Sequence, residues 1–407
     1  MKEKIFAGVV LLAACASALA AEPTKTVNVN CGAGLTIAQA LALGDERKPL
    51  VVVVSGQCNE SVRIDRNDVT LRGEAGVVNG PDPDVNTIVV TANRVIIRDL
   101  QVTGGRNGIT GLGAADLTVL NTTVQSTGHS GIVYNNGSSG VIDGCTVQLN
   151  ARDGVVVQAA TATIVNSSIL QNSRLGVLVT TGGAARVGVD DRNNAAGNRI
   201  NQNGATGLNI SVGGQAVVAM NDISGNGTDA TSTSGRTGIT VIQGTADLPG
   251  GNTITGNPGQ GIFARSASVQ IGDPTFGFTT VNTITGNGNA ADPGGVFGLL
   301  GSALFIRDAV IRGNNGFGLI LSLRSHAQIS SSTIQDSRTL GTSPGDGIRL
   351  AFGSGLFISA PNPVVSGNAG FGLQCTDGES SVINTVLLNF PPPANARGNI
   401  SFTCTPF

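Results

Sequence analysis

One unit recurs along this chain: a glycine, a short apolar run, a small polar turn, a second β-branched run, then an asparagine. HSGIVYNNGSSGVIDGCTVQLN from 129, RDGVVVQAATATIVNSSILQN from 152 and RLGVLVTTGGAARVGV from 174 are three copies. The glycine before each apolar run marks the register at Gly108, Gly131, Gly154, Gly176, Gly207, Gly238, Gly261, Gly298, Gly318, Gly347 and Gly372. The period is close to 22, stretched by insertions. That is too long for a six-residue left-handed helix, and the leucine-rich and GGxGxD calcium-binding frames are missing. Runs such as Val155–Val157, Thr163–Val165 and Ile169–Leu170 read as strands between Gly, Ser, Thr and Asn turns. A single coil of this kind cannot bury its own apolar face, so coils must stack.

Asparagine precedes the next marker at Asn150, Asn172, Asn203, Asn226, Asn257, Asn287, Asn314 and Asn368. Asparagine tolerates left-handed backbone, and its amide can bond to the same amide one coil away, so a buried ladder is expected. A stacked rod needs sealed ends. LTIAQALAL, residues 35–43, reads as a short capping helix with a Thr36–Gln39 capping box. The other end leaves the repeat at Pro391–Pro393. Cys31 with Cys58, and Cys375 with Cys404, read as end disulfides, while Cys145 reads as an inward buried thiol.

The chain opens with Lys2 and Lys4 and the apolar run IFAGVVLLAA, then Ala18-Leu19-Ala20, the pattern of a signal peptide over residues 1–20. A rival reading takes Leu12-Ala13-Ala14-Cys15 as a lipobox that leaves Cys15 lipid-anchored. Either way the expected location is secreted, periplasmic or at the cell surface. No later stretch is long enough to span a bilayer, and a net charge of −2 suggests no nucleic-acid partner. The expected domains are a cap with a short helix over 21–49, the β-helix over 50–375 and a C-terminal cap over 376–407.

The segment VNCGAGLTIAQAL, then VVVVSGQCNESVRIDRNDVTLRG, then the Gly/Asn-punctuated coils resembles secreted bacterial right-handed β-helix repeat proteins of the pectate-lyase-like (pectin lyase fold) superfamily. The resemblance covers about residues 27–407. It implies an all-β, right-handed parallel β-helix solenoid of roughly 11–12 coils with a short N-terminal capping helix. It leaves activity open, because that superfamily holds lyases, hydrolases, epimerases and adhesins. Its lyases use an Arg or Lys base beside calcium-binding carboxylates and its hydrolases use paired carboxylates.

Catalytic residues are hard to find by sequence. Beyond residue 20 the lysines are Lys25 and Lys48, both before the repeats. Asp190, Asp191 and Arg192 are the strongest acidic candidates, although their alignment with Gly272 and Asp273 suits an inserted turn. His129 stands two residues before Gly131, where neighbouring coils carry Arg152 and Arg174, and reads as an exposed turn residue, as does His326. No cofactor is expected, and no metal, since His, Cys and Met are scarce and scattered. Glycan-stacking platforms look poor: there is no Trp, and the one Tyr, Tyr134, falls at an inward position.

Two positions after the marker, side chains should point outward, yet Val133, Val156, Leu178, Phe263, Leu300 and Ile320 are apolar. Either the insertions near 182–200, 226–237 and 273–295 cover this line, or it is a partner face. The leading expectation is an exported, non-catalytic binding or adhesion protein acting through its long face, with a polysaccharide or cell-surface partner. The alternative is a carbohydrate-active lyase or hydrolase of acidic polysaccharide. The enzyme reading requires a groove where an Arg and at least two carboxylates converge from different coils. The binding reading requires a continuous apolar or Asn/Thr face instead.

Overall fold

The computed structural model describes residues 24–43, 48–401 and 403–406; the signal peptide and lipobox readings lie outside these. Each coil carries three strands, as in Val155–Gln158, Thr161–Val165 and Ser168–Leu170. The first member of each triplet stacks with its counterparts into a parallel sheet of 13 strands, and the other two join a sheet of 27. The register is direct: Ile132, Val155, Val177 and Leu208 lie side by side, and so do Ile142 and Ile164. Alternation then decides what is inside. Val155, Val157, Ile164 and Ile169 are fully buried in one continuous core that runs the length of the rod. The eleven or twelve coils expected become thirteen strands in the smaller sheet, because Val62–Ile64 and Ile88–Val90 form coils that no marker glycine announces.

The marker glycines are required by close approach. A Cβ on Gly176 would lie 2.5 Å from the carbonyl oxygen of Gly207 in the next coil and 2.7 Å from Ile200 Cγ2. One marker is misplaced by sequence reading: Gly295, not Gly298, stacks over Gly318, because GGVFG offers three glycines within five residues. The asparagine ladder runs from Asn150 to Asn314, is interrupted by Ser337, and resumes from Asn368 to Asn395. Asn203 Oδ1 accepts from Asn172 N at 3.1 Å and Asn172 Nδ2 at 3.0 Å, while its own Nδ2 donates to Asn226 Oδ1 at 2.9 Å and Ile169 O at 3.1 Å. The left-handed residue at this corner is the one before the asparagine, such as Leu149, Gln171 or Gln202. The asparagine therefore supplies the bonds and its predecessor makes the bend. A second ladder, Asn198–Asn221–Asn252–Asn282, crosses the other corner.

The capping helix is Ile37–Ala42, with reciprocal Thr36–Gln39 bonds. The Glu60 carboxylate accepts from Ile37 N at 2.7 Å and Ala38 N at 3.2 Å, holding the positive helix end. Both end disulfides are formed, Cys31–Cys58 and Cys375–Cys404. Cys145 is buried, with its sulfur 3.3 Å from Val119 O, and burial pushes the thiol up to about 11.

Candidate active site

The longer sheet turns a row of outward side chains to solvent, and in its middle the register runs Val141, Thr163, Arg186, Val217, Asp247 and Gln270. Small neighbours such as Gly140, Ala162, Ala185 and Ala216 keep this strip low, and a groove of about 530 Å³ lies along it. The inserted turn over residues 188–197 sends Asp191 into it, and a second, over 272–281, stands beside the Asp247 strand. The first is built by Asp190. Its Oδ1 accepts from Arg192 N at 2.9 Å and Asn194 N at 2.8 Å, and its Oδ2 accepts from Asn194 Nδ2 at 2.8 Å. These bonds hold the Asp190 carboxyl below the usual carboxylate range. Arg186 is locked to the same turn, donating to Asp190 O from Nε at 3.0 Å and Nη2 at 2.8 Å, and to Asn193 Oδ1.

Of the three residues singled out by sequence, Asp191 enters the groove. It accepts from Thr163 Oγ1 at 2.8 Å and lies 3.9 Å from Arg186 Nε. Asp190 holds the turn, and Arg192 does not line the groove. Adjacent residues of an extended strand face opposite ways, and the turn bends that alternation so that Asp191 alone reaches the sheet.

Two strands further along, Asp247 is the residue that sequence reading missed. It is half-buried, its Oδ1 has no hydrogen-bond partner among the described residues, and burial together with the neighbouring Asp273 carboxylate raises it from the ordinary 3.8 to about 6. Asp273 is fixed as the cap of the 3-10 turn Pro274–Phe276, accepting from Thr275 N at 2.9 Å and Thr275 Oγ1 at 2.6 Å. Its backbone N–H donates to Pro249 O, tying the inserted turn to the end of the Asp247 strand. A lone Asp at an outward strand position carries no motif; the available signal was the second insertion, which aligns Asp273 with Asp191.

One physical consequence is independent of function. A carboxyl whose folded pKa exceeds its unfolded value opposes folding once it ionises, so this contribution appears as pH rises from about 4 through 6. The full shift is worth about 3 kcal/mol, reduced to about 1 kcal/mol because the group is half exposed. Asp247→Asn is therefore expected to stabilise the protein by about 1 kcal/mol at pH 7.5 and to be neutral at pH 4. Urea midpoints at the two pH values check this; an equal effect at both removes the carboxyl from the account.

The smaller sheet carries the outward apolar line. Val133, Val156, Leu178, Phe263 and Ile320 follow one another there, interrupted by Asn209 and Thr240. Leu300 does not: Phe297 pairs with Phe263 and Ile320, and Leu300 sits in the next turn with left-handed backbone. The slip follows from the misplaced glycine. The inserted turn 227–237 reaches this face through Thr206 Oγ1, which donates to Ser234 O at 3.1 Å. Leu178, Phe263 and Phe297 line a groove of about 560 Å³ beside it, whereas the turn at 188–197 lies over the longer sheet.

The right-handed β-helix region family matches residues 52–195 and 231–389. The chain belongs to that family. Solved structures of similar course include pectate lyase Pel9A, 14% identical over 70% of this chain and 78% of that one, with a TM-score of 0.44. The A-module of the Azotobacter vinelandii mannuronan C-5 epimerase AlgE4 is 15% identical, covering 91% and 94% of the two chains, with a TM-score of 0.41. A mannuronic-acid-specific polysaccharide family 6 lyase from human gut microbiota is 12% identical, covering 94% and 91%, with a TM-score of 0.39. These likenesses concern the β-helix path of the chain. No curated protein matches the sequence. Among the described residues no helix is long and apolar enough to cross a membrane.

Proposed function

We propose that this β-helix protein is a carbohydrate-active enzyme that cleaves a glycosidic bond by acid–base catalysis in the groove of the longer sheet. The observation that carries the reading is Asp247, raised to about 6 beside Asp273 in a groove that also holds Asp191 and Arg186. A carboxyl whose surroundings hold its proton suits the role of acid. Asp247 keeps a proton into the mildly acidic range and serves as the general acid, with Asp273 anchoring that proton. Asp191, held by Thr163 near Arg186, is the second carboxylate. Asp191 is bonded to Thr163, whose strand lies three spacings from that of Asp247, roughly 14 Å, with Arg186 on a strand between them. Hydrolysis suits the groove better than elimination, since Arg186 is tied to its own turn through Nε and Nη2. With Asp116, Asp191 and Asp247 lining the groove against Arg186, a neutral glycan fits it better than an acidic one.

The test is reducing-end release from a panel of neutral and acidic polysaccharides, with product anomers followed over time. Hydrolysis of a neutral glycan is expected to fall off above about pH 6 as Asp247 ionises. Asp247→Asn is expected to lower kcat by about 10²–10⁴-fold, with the fold intact by its unchanged or raised urea midpoint. Unsaturated products absorbing near 235 nm, or full activity in Asp247→Asn, would overturn the assignment.

A further inference from the structure

Past Gln270 the outward row of the longer sheet changes character. The row of Arg186, Val217, Asp247 and Gln270 continues as Phe305, Gln328, Phe357 and Ile383. Phe305, Phe357 and Ile383 are 48%, 37% and 42% exposed. A second apolar row stands beside it at the corner where each coil enters this sheet. There Leu300, Leu323 and Phe352, stacked one coil apart, are 39%, 40% and 63% exposed. All three have left-handed backbone, a conformation that bulky side chains disfavour. The six coils before them carry Asn136, Ala159, Thr181, Val212, Gln243 and Ser266 at this corner, and only Val212 is large and apolar. The local backbone therefore gives no reason for Leu or Phe here.

The patch is open and nearly flat. Ala303 and Gly355 flank His326 along the phenylalanine row, so the rings stand clear of the sheet. Arg324 and Glu379 both lie close to Gly353 at the corner, giving the patch charges of both signs. Three phenylalanines at these exposures leave roughly 300 Å² in water. With Leu300, Leu323 and Ile383 the apolar surface reaches roughly 500 Å², a size that marks an interaction site.

The register makes this face complementary to itself. Phe305 and Phe357 lie one strand to either side of Gln328, and Leu300 and Phe352 one coil to either side of Leu323. A twofold axis laid along the strand His326–Ser330, between two such faces, sets Phe305 of each copy against Phe357 of the other and Leu300 against Phe352. On the axis Gln328 meets Gln328, and each amide both donates and accepts. We infer that this face joins two copies of the chain, rods antiparallel, across that axis. The contact runs from the strand of Gln270 to that of Ile383, five strands or roughly 24 Å along the rod by about 17 Å across. Counting both copies, it buries about 1,200 Å², the lower end for a specific complex, so dissociation in the micromolar range is expected. The rod ends at Thr405–Pro406, one strand past Ile383, which falls opposite the strand of Asp247 in the other copy. The rest of that groove runs clear of its partner.

The test is sedimentation equilibrium of the full chain from about 1 to about 200 μM. The unaltered protein is expected to pass from one chain mass to two over this range. Phe305→Glu, and separately Phe357→Lys, is expected to weaken the dimer by tenfold or more with an unchanged urea midpoint, because both rings stand largely in water. The two changes together are expected to regain part of the loss, since each Glu then meets a Lys across the axis. Gln328→Cys is expected to give a disulfide-linked dimer under mild oxidation, whereas Val217→Cys on the same row is not. A monomer throughout, a dimer untouched by either single change, a double variant no better than the singles, or association only with added phosphatidylglycerol vesicles or xylan oligomers would overturn the inference. Phe305, Gln328 and Phe357 lie outside the groove of Asp247 and Asp191, so the result is separable from the fate of the hydrolytic reading.

Discussion

Asn203→Leu is expected to lower stability by about 3–5 kcal/mol, one of the two largest effects foreseen for this chain. Asn203 is fully buried and its side chain makes four hydrogen bonds. Leucine fits the volume but takes a bond each from Asn172 N and Ile169 O and leaves Asn172 Nδ2 with Val147 O only, in a dry interior where each lost bond costs about 1–3 kcal/mol. Burial of extra apolar surface offsets part of this. Because each coil touches only its neighbours, the damage is expected to be local, opening the rod around residues 172–226 before the ends. Urea unfolding gives the magnitude, and hydrogen exchange along the chain gives the location. A midpoint loss below about 1 kcal/mol would mean that backbone pairing, not the ladder, holds this corner.

The ladder was legible in the sequence because a solenoid repeats its physics. A residue that is asparagine in one coil is asparagine in the next, with Ser337 the exception between Asn314 and Asn368, so period and identity together announce the environment. The second ladder, Asn198 to Asn282, was not read: it spans four coils, and the inserted turns beside it break the spacing. The corner geometry was half legible. Asparagine was expected to take the left-handed turn, but the chain gives that task to Leu149, Gln171 or a glycine and keeps the amide for bonding. Gly298 and Leu300 failed through frame alone, since a run with glycines at three places fits the marker in more than one way.

The candidate site was legible only in part, for the opposite reason. Asp247, Asp191 and Asp273 come from different coils and share no local motif; what unites them is stacking, which sets residues 247 and 186 two strands apart. The adjacent pair Asp190-Asp191 attracted notice as a pair, yet one of its members builds the turn and the other faces the groove. Likewise, the line of His129, Arg152 and Arg174 was visible as a coincidence of position.

Removing the Cys375–Cys404 bridge by Cys375→Ser with Cys404→Ser is expected to release the C-terminal cap while the coils stay folded. The residues bridged are 29 apart, so the lost chain-entropy term is about 3.5 kcal/mol. What remains to hold the cap is the pairing of Thr405–Pro406 with Ser381–Val382, the Asn395 bonds to Asn368, backbone bonds between residues 389–401 and 363–373, the buried Leu388, and the partly buried Leu387 and Phe390. The N-terminal bridge differs. There Lys25–Asn30 pairs over six residues with Leu50–Ser55, and Ile37 and Ala40 pack into the core, so the same change at Cys31 and Cys58 leaves the cap docked. Limited proteolysis separates the two ends. The Cys375/Cys404 variant should be cut early between residues 384 and 400 with little loss of strand signal, and the bared last coil should then promote end-to-end association. If it resists cleavage as the unaltered protein does, the asparagine ladder and the apolar contacts hold the end by themselves, and the disulfide is a brace on a cap already closed.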